Sequence, residues 1–293
     1  MENNSGFNKK LILPIVAGLV LLLMISTGLA SLKLFAANYL ADTGEYQQLE
    51  KSYGDKPELV LDIYSSKDNI TNKPVVIFYY GGCWGACTDL SKQHYRFVAE
   101  SLVSLGAVVV VPDYRRYPDV MFAEIIKDAA LSVQWVGDHI GSYGGDADNI
   151  FLMGHSSGAH LAAMLTLNQN YLGKRDYSRL QGLIGLAGPY DFLPLTKAYQ
   201  QALFAPEQSY AQSQPINFVD GDEPPLLLLY GMADKTVKFK NHKNLSAKVQ
   251  QMGGDVQIHI YKELDHKGLL AALSIPLRNQ AAVRKDIGAF LYR

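Results

Sequence analysis

The sequence predicts an α/β domain, a mostly parallel β-sheet with helices on both faces. Two observations carry this. Short apolar runs alternate along the chain with longer segments of helical periodicity. One of those runs, residues 149–153, passes through a Gly-flanked serine turn into a small-residue helix. Such a junction sets a side chain at the carboxyl end of a parallel strand, where sheets of this kind hold their chemistry. With 293 residues, 48% of them hydrophobic, the chain can bury one core of ordinary size. One domain with appendages is therefore expected.

The first appendage is N-terminal. Residues 1–10 end in Lys9-Lys10, and the 22 residues 11–32 that follow are uncharged. As a helix they would span about 33 Å at ~1.5 Å per residue, enough for a hydrocarbon core of ~30 Å. The segment is expected to be a transmembrane helix. Residues 1–10 would be a cytoplasmic tail, since basic flanks stay inside, and the rest of the chain would be exported to the periplasm or beyond. Gly28-Leu29-Ala30 also fits a cleavage site, and a cleaved signal would give a secreted protein starting near Ser31. Residues 33–50 read as a connector and 51–293 as the α/β domain. The formal net charge of −1 comes with no basic stripe interleaved with aromatics, so nucleic acid is not an expected partner.

Within the domain, residues 58–64 alternate apolar and polar in part, as a half-buried edge strand does. Residues 75–80 form a continuous apolar run, as a central strand does. Helix is expected over 90–105, 122–140, 158–167, 242–252 and 283–291, and strand over 107–111, 149–153, 183–186, 226–230 and 256–261. About 40 residues between the strands ending near 186 and starting near 226 show no strand pattern. That is long for a loop and predicts a lid or substrate-binding insertion over about 189–222. Its Tyr190, Phe192, Phe204 and Tyr210 either line an apolar acyl pocket or pack the insertion onto the domain.

The serine turn reads Gly154-His155-Ser156-Ser157-Gly158, a G-x-S-x-G pentapeptide between strand and helix, the context a nucleophile elbow requires. Ser156 is the candidate nucleophile. A serine needs a base near neutral pH, and in this arrangement acid and then histidine follow in the chain. His266 is the candidate base because it alone follows the strand 256–261 in a loop; His259 lies inside that strand and His242 in a polar helix. Asp234, the first acid after strand 226–230, is the candidate orienting acid. Asp191 and Asp265 are its rivals. The oxyanion of an acyl-transfer intermediate needs N–H donors. Ser157, next after the nucleophile, supplies one, and Gly82 and Cys83, in the Gly-Gly turn after strand 75–80, supply the others. Arg115 is expected to pair with a structural carboxylate, and Trp84 to brace the turn by packing. Nucleophile, base and donors all come from protein, so neither metal nor organic cofactor is implied.

On these motifs the chain resembles the α/β-hydrolase esterases related to hormone-sensitive lipase and the bacterial carboxylesterase and feruloyl-esterase-like group. It is similar also to kynurenine formamidase and prenylcysteine methylesterase. The matching residues are Tyr80–Trp84 for the H-G-G-x-W oxyanion motif, Pro112-Asp113-Tyr114-Arg115 for P-D-Y-R, Gly154–Gly158 with Ala159 and His160 for the elbow, and Gly231–Asp234 with His266. They extend over roughly 58–293. The resemblance implies an α/β-hydrolase fold, a Ser–Asp–His triad and a small-molecule ester substrate of small to medium acyl size. An arylformamidase-type amidase is the alternative within hydrolases; a non-catalytic binding protein of this fold is the alternative outside them. Two positions depart from the pattern. Tyr80 stands where a bracing histidine is usual, and Cys83 where a small residue is usual.

The sequence holds two cysteines, Cys83 and Cys87. Their C-x-x-x-C spacing lacks the second ligand pair of a zinc site. In an exported domain they can join as a disulfide bracing Cys83; two free thiols are the alternative.

Overall fold

The computed structural model describes residues 33–293 apart from Asn69. The expected cytoplasmic tail and transmembrane or signal segment, 1–32, lie outside them. Among the described residues no helix is long and apolar enough to cross a membrane.

Eight strands form one sheet in the order β1-β2-β4-β3-β5-β6-β7-β8. They are β1 (Tyr46–Ser52), β2 (Val60–Ser66), β3 (Lys73–Tyr79), β4 (Val108–Pro112), β5 (Gly145–His155), β6 (Leu180–Leu186), β7 (Leu226–Gly231) and β8 (Val256–Tyr261). β1 and β2 run antiparallel; pairs from β3 onward are parallel. Every residue of β3, β4 and β7 is buried. That is why these runs read as unbroken Val, Ile and Leu rather than as alternation: helices cover both faces. Each fully buried aliphatic side chain contributes about 1.5–3 kcal/mol of transfer free energy.

The helices are α1 (Arg96–Val103), α2 (Phe122–His139), α3 (Ser157–Leu167), α4 (Gly173–Tyr177), α5 (Ala198–Leu203), α6 (Lys240–Met252), α7 (His266–Ala271) and α8 (Val283–Leu291). All eleven residues of α3 are buried, as its run of Ala, Leu, Gly and Met allows. Between β6 and β7 the chain forms α5 and 3-10 turns, at the place expected for the insertion.

Three expectations need correction. β1 begins at Tyr46, inside the segment read as connector, and its sequence YQQLEKS is mostly exposed. An edge strand wet on both faces carries no apolar period, so none was there to read. β1 in turn covers β2, which is buried rather than half-buried at an edge. Finally, His266 opens the short helix α7 instead of lying in a loop. Its N-cap is Asp265, whose carboxylate accepts from Gly268 N, which satisfies a donor of the first turn.

Candidate active site

β5 ends at His155, and α3 starts at Ser157. Ser156 between them has φ 55° and ψ −125°, a conformation L residues rarely adopt. Its N–H donates to Leu186 O at 2.9 Å, which ties the turn to β6. The flanking glycines are required by close approach. A Cβ on Gly154 would lie 2.3 Å from the Gly158 carbonyl, and one on Gly158 would lie 2.0 Å from Tyr79 O. Strand and helix can therefore meet at this angle only if both positions lack a side chain.

The loop after β7 brings Asp234 to His266, at the start of α7. His266 Nδ1 donates to Asp234 Oδ2 at 2.7 Å. Asp234 Oδ1 accepts from the N–H groups of Thr236 (2.7 Å) and Val237 (3.0 Å). The carboxylate is wholly buried. Burial pushes its pKa up, but the bonds from His266, Val237 and Thr236 prevail and hold it below the usual carboxylate value. With Nδ1–H committed to Asp234, the lone pair of His266 Nε2 is free to take a proton. The Ser156 hydroxyl makes no hydrogen bond to His266 among the described residues. Such contacts often tighten only around substrate. Asp191 is held elsewhere, accepting from Asn244 Nδ2 at 2.5 Å.

His155 was not singled out from sequence. Its Nε2 and the carbonyl of His266 are 2.8 Å apart, and the two rings are 4.7 Å apart. Burial, then the neighbouring His266, lowers its pKa to about 3. A neutral His155 thus braces the backbone of His266 without placing a second positive charge beside it. Nothing in the pentapeptide marks its second residue for this, because the partner is 111 residues away.

The third part of the site is the turn after β3. A Cβ on Gly81 would stand 2.9 Å from Ser156 Cβ, so the turn passes directly over the serine. The N–H groups of Gly82 and Cys83 have no partner among the described residues, and Ser157 N–H is at the unpaired first position of α3. Trp84 N donates to Ser157 Oγ at 3.2 Å, linking turn and helix. Trp84 Nε1 donates to His160 Nδ1 at 3.2 Å, and His160 Nε2 to Ser213 O at 2.7 Å. One buried histidine therefore connects the turn to the insertion. Tyr80, where the resemblance has histidine, donates to Asp113 Oδ1 at 2.6 Å, while Tyr114 OH donates to Tyr80 O at 2.8 Å. The tyrosine keeps a bracing role by another route. Arg115 pairs in bidentate fashion with Asp128 (2.8 and 2.7 Å), the structural partner expected of it. Cys83 and Cys87 form a disulfide with Cα atoms 5.3 Å apart.

Of the four insertion aromatics, Tyr190 and Phe204 are buried and pack the insertion down, Tyr190 against His242 and Phe204 against Trp84 and Phe122. Phe192 and Tyr210 stay half-buried, Phe192 stacking 6.1 Å from Trp84.

The fold and the elbow define an α/β-hydrolase. The BD-FAE family model matches residues 61–249, and the chain belongs to that family. Among curated relatives, ICMEL1 of Arabidopsis thaliana, named a probable isoprenylcysteine alpha-carbonyl methylesterase, is 29% identical over 77% of this chain and 52% of its own length. LipM of Mycobacterium tuberculosis, named a probable carboxylic ester hydrolase, is 29% identical over 70% of this chain and 51% of its own. The chain thus spans about half the length of the curated relatives it matches. Among solved structures, a truncated carbohydrate esterase from gut microbiota superposes with a TM-score of 0.73 at 21% identity, covering 85% of this chain and 97% of that one. EstE1, a thermophilic carboxylesterase from a metagenomic library, gives 0.72 at 18% identity over 91% and 96%. These two likenesses concern the fold.

Proposed function

We propose that the protein is a serine hydrolase that cleaves a carboxylic ester of small to medium acyl size. The observation that carries the reading is the Asp234–His266 hydrogen bond of 2.7 Å, formed on the same rim of the sheet as a serine held at φ 55°. In the proposed cycle Ser156 Oγ attacks the ester carbonyl while His266 Nε2 takes its proton. Asp234 holds the imidazole in the tautomer that can do so and stabilises the imidazolium. The N–H groups of Gly82, Cys83 and Ser157 receive the oxyanion, helped by the positive end of α3. His266 returns the proton to the leaving alcohol, and water then releases the acyl group from Ser156 by the same steps in reverse. The names of the relatives, methylesterase and carboxylic ester hydrolase, support an ester over a formamide.

The test is a panel of nitrophenyl esters set against N-formyl aromatic amines, run on wild type and Ser156→Ala. Esters should be turned over, and Ser156→Ala should lower kcat by ~10⁴-fold or more with the fold retained. A variant that kept a tenth of the wild-type rate would remove Ser156 from the mechanism.

We also propose that residues 11–32 anchor the chain and that the catalytic domain is exported. The basic flank Lys9-Lys10 supports this orientation. The Cys83–Cys87 disulfide supports it independently, since such bonds persist in oxidising compartments. A reporter active only outside the cytoplasm, fused after Arg293, should work, and the protein should resist carbonate extraction from membranes. A soluble mature form starting near Ser31 would identify a cleaved signal instead.

A further inference from the structure

Four consecutive residues of the turn over Ser156 have positive φ: Gly82 (133°), Cys83 (56°), Trp84 (57°) and Gly85 (110°). Glycine takes such angles freely, whereas cysteine and tryptophan resist them because of Cβ. Trp84 is held from three directions. Its N–H donates to Ser157 Oγ (3.2 Å), its carbonyl accepts from Tyr117 N (2.9 Å), and its indole donates to His160 (3.2 Å). Cys83 has no comparable hold. Its N–H is unpaired among the described residues, and its carbonyl accepts only from Ala86 N, within the same turn. What fixes it is the bond to Cys87, whose own N–H is tied back to Gly82 O at 3.2 Å. The disulfide therefore closes a small ring around the residue proposed to donate to the oxyanion.

We infer that the Cys83–Cys87 disulfide is a positioning element of the oxyanion site: it keeps the Cys83 peptide in the left-handed conformation that aims its N–H at the tetrahedral intermediate. The inference rests on the ester-hydrolase reading above. Where glycine would reach φ 56° unaided, this chain has a cysteine and a covalent tie that compensates for the lost freedom. Because the donor acts on charge that develops in the transition state, its loss should fall on kcat and spare KM. Removing an oxyanion donor costs about 10²- to 10³-fold in kcat, and a donor set free to wander should cost between about 10-fold and that limit.

The experiment compares the oxidised full-length protein, the same protein reduced with dithiothreitol, and two variants, Cys87→Ser and the double variant Cys83→Gly/Cys87→Ser. Reduction transfers two electrons and two protons from the dithiol to the two Sγ atoms; the S–S bond breaks, two thiols form and the reagent closes to its cyclic disulfide. Three quantities are read: kcat and KM on a nitrophenyl ester, and Ki for an aryl trifluoromethyl ketone, whose adduct presents an oxyanion to the site. Reduction and Cys87→Ser should lower kcat about 10- to 10³-fold and raise Ki in parallel, with KM within about twofold. Reoxidation should restore both. The double variant should recover at least about tenfold over Cys87→Ser, because glycine needs no tie at φ 56°. If reduction or Cys87→Ser unfolds the protein, the double variant against oxidised wild type decides: kcat within about tenfold supports the inference, and a greater loss overturns it. Unchanged kcat and Ki on reduction, even with a lower Tm, would make the bond a structural brace only and overturn it. So would two reactive thiols in the unreduced, denatured protein. Failure of the ester-hydrolase reading looks different: the oxidised wild type itself would leave esters uncleaved and the ketone unbound.

Discussion

Asp234 shows how much chemistry one side chain concentrates. Its two oxygens accept three hydrogen bonds, from His266, Thr236 and Val237, and no solvent reaches them. An amide in its place would keep its carbonyl oxygen on the Thr236 and Val237 N–H groups and turn its NH₂ to His266 Nδ1, which reverses the preferred tautomer. Asp234→Asn is therefore expected to lower kcat by ~10⁴-fold with little change in KM, whereas Asp191→Asn, at a carboxylate held by Asn244, should stay within about threefold of wild type. Steady-state kinetics on the two purified variants checks this; a larger loss at Asp191 would exchange their roles. Ser156, Asp234 and His266 are legible as candidates from the order of acid and base after successive strands, and the structure pairs the last two. The left-handed backbone of Cys83 and Trp84 is not legible in the sequence. Neither residue type advertises positive φ; the bonds that hold Trp84 come from Ser157, His160 and Tyr117, all distant in sequence, and Cys83 is held by its disulfide to Cys87.

At the scale of elements, the β5–α3 junction is the rigid part on which the site depends. The two glycines there are matters of contact distance, not flexibility: a Cβ on Gly158 would stand 2.0 Å from the carbonyl oxygen of Tyr79, a backbone atom that cannot rotate away. Gly158→Ala must push α3 away from β3, and with it the Ser157 N–H. We expect a loss of about 1–3 kcal/mol in urea unfolding, the usual cost of overpacking, accompanied by a drop in kcat. A variant with wild-type midpoint and rate would show that the helix tolerates a side chain there. Apolar period made β3, β4, β7 and most long helices legible. It hid β1, where both faces meet water, and α7, whose six residues are too few to show a period. In α7 the informative signal is the capping residue Asp265, next to His266.

Across the whole molecule, three histidines are buried without charge. Burial lowers His155 to about 3, His160 to about 4 and His242 to about 3, each from an ordinary 6.5. Above pH 6.5 they are neutral whether folded or unfolded and leave stability independent of pH. As pH falls below 6.5 the unfolded chain binds protons that the folded chain refuses, so stability is lost progressively towards pH 4 and below, by up to about 1.4 kcal/mol per histidine for each pH unit. Glu100, whose carboxyl is pushed up by burial, works in the opposite sense, but as one group against three. The urea midpoint should therefore fall steeply between pH 6.5 and 4.5; a flat profile over that interval would mean that these rings are not buried in solution. None of this was legible beforehand, because burial of a histidine is decided by the aromatic residues folded around it: Trp84, Phe122 and Phe204 around His160, Tyr190 and Tyr230 around His242. The central claim, that this sheet presents one activated serine, is tested most directly by mass spectrometry of the intact protein after a fluorophosphonate probe. One adduct per chain on the peptide containing Ser156, absent after Ser156→Ala and strongly slowed by Asp234→Asn, is the predicted result. An unlabelled protein, or an adduct on any other residue, would contradict it.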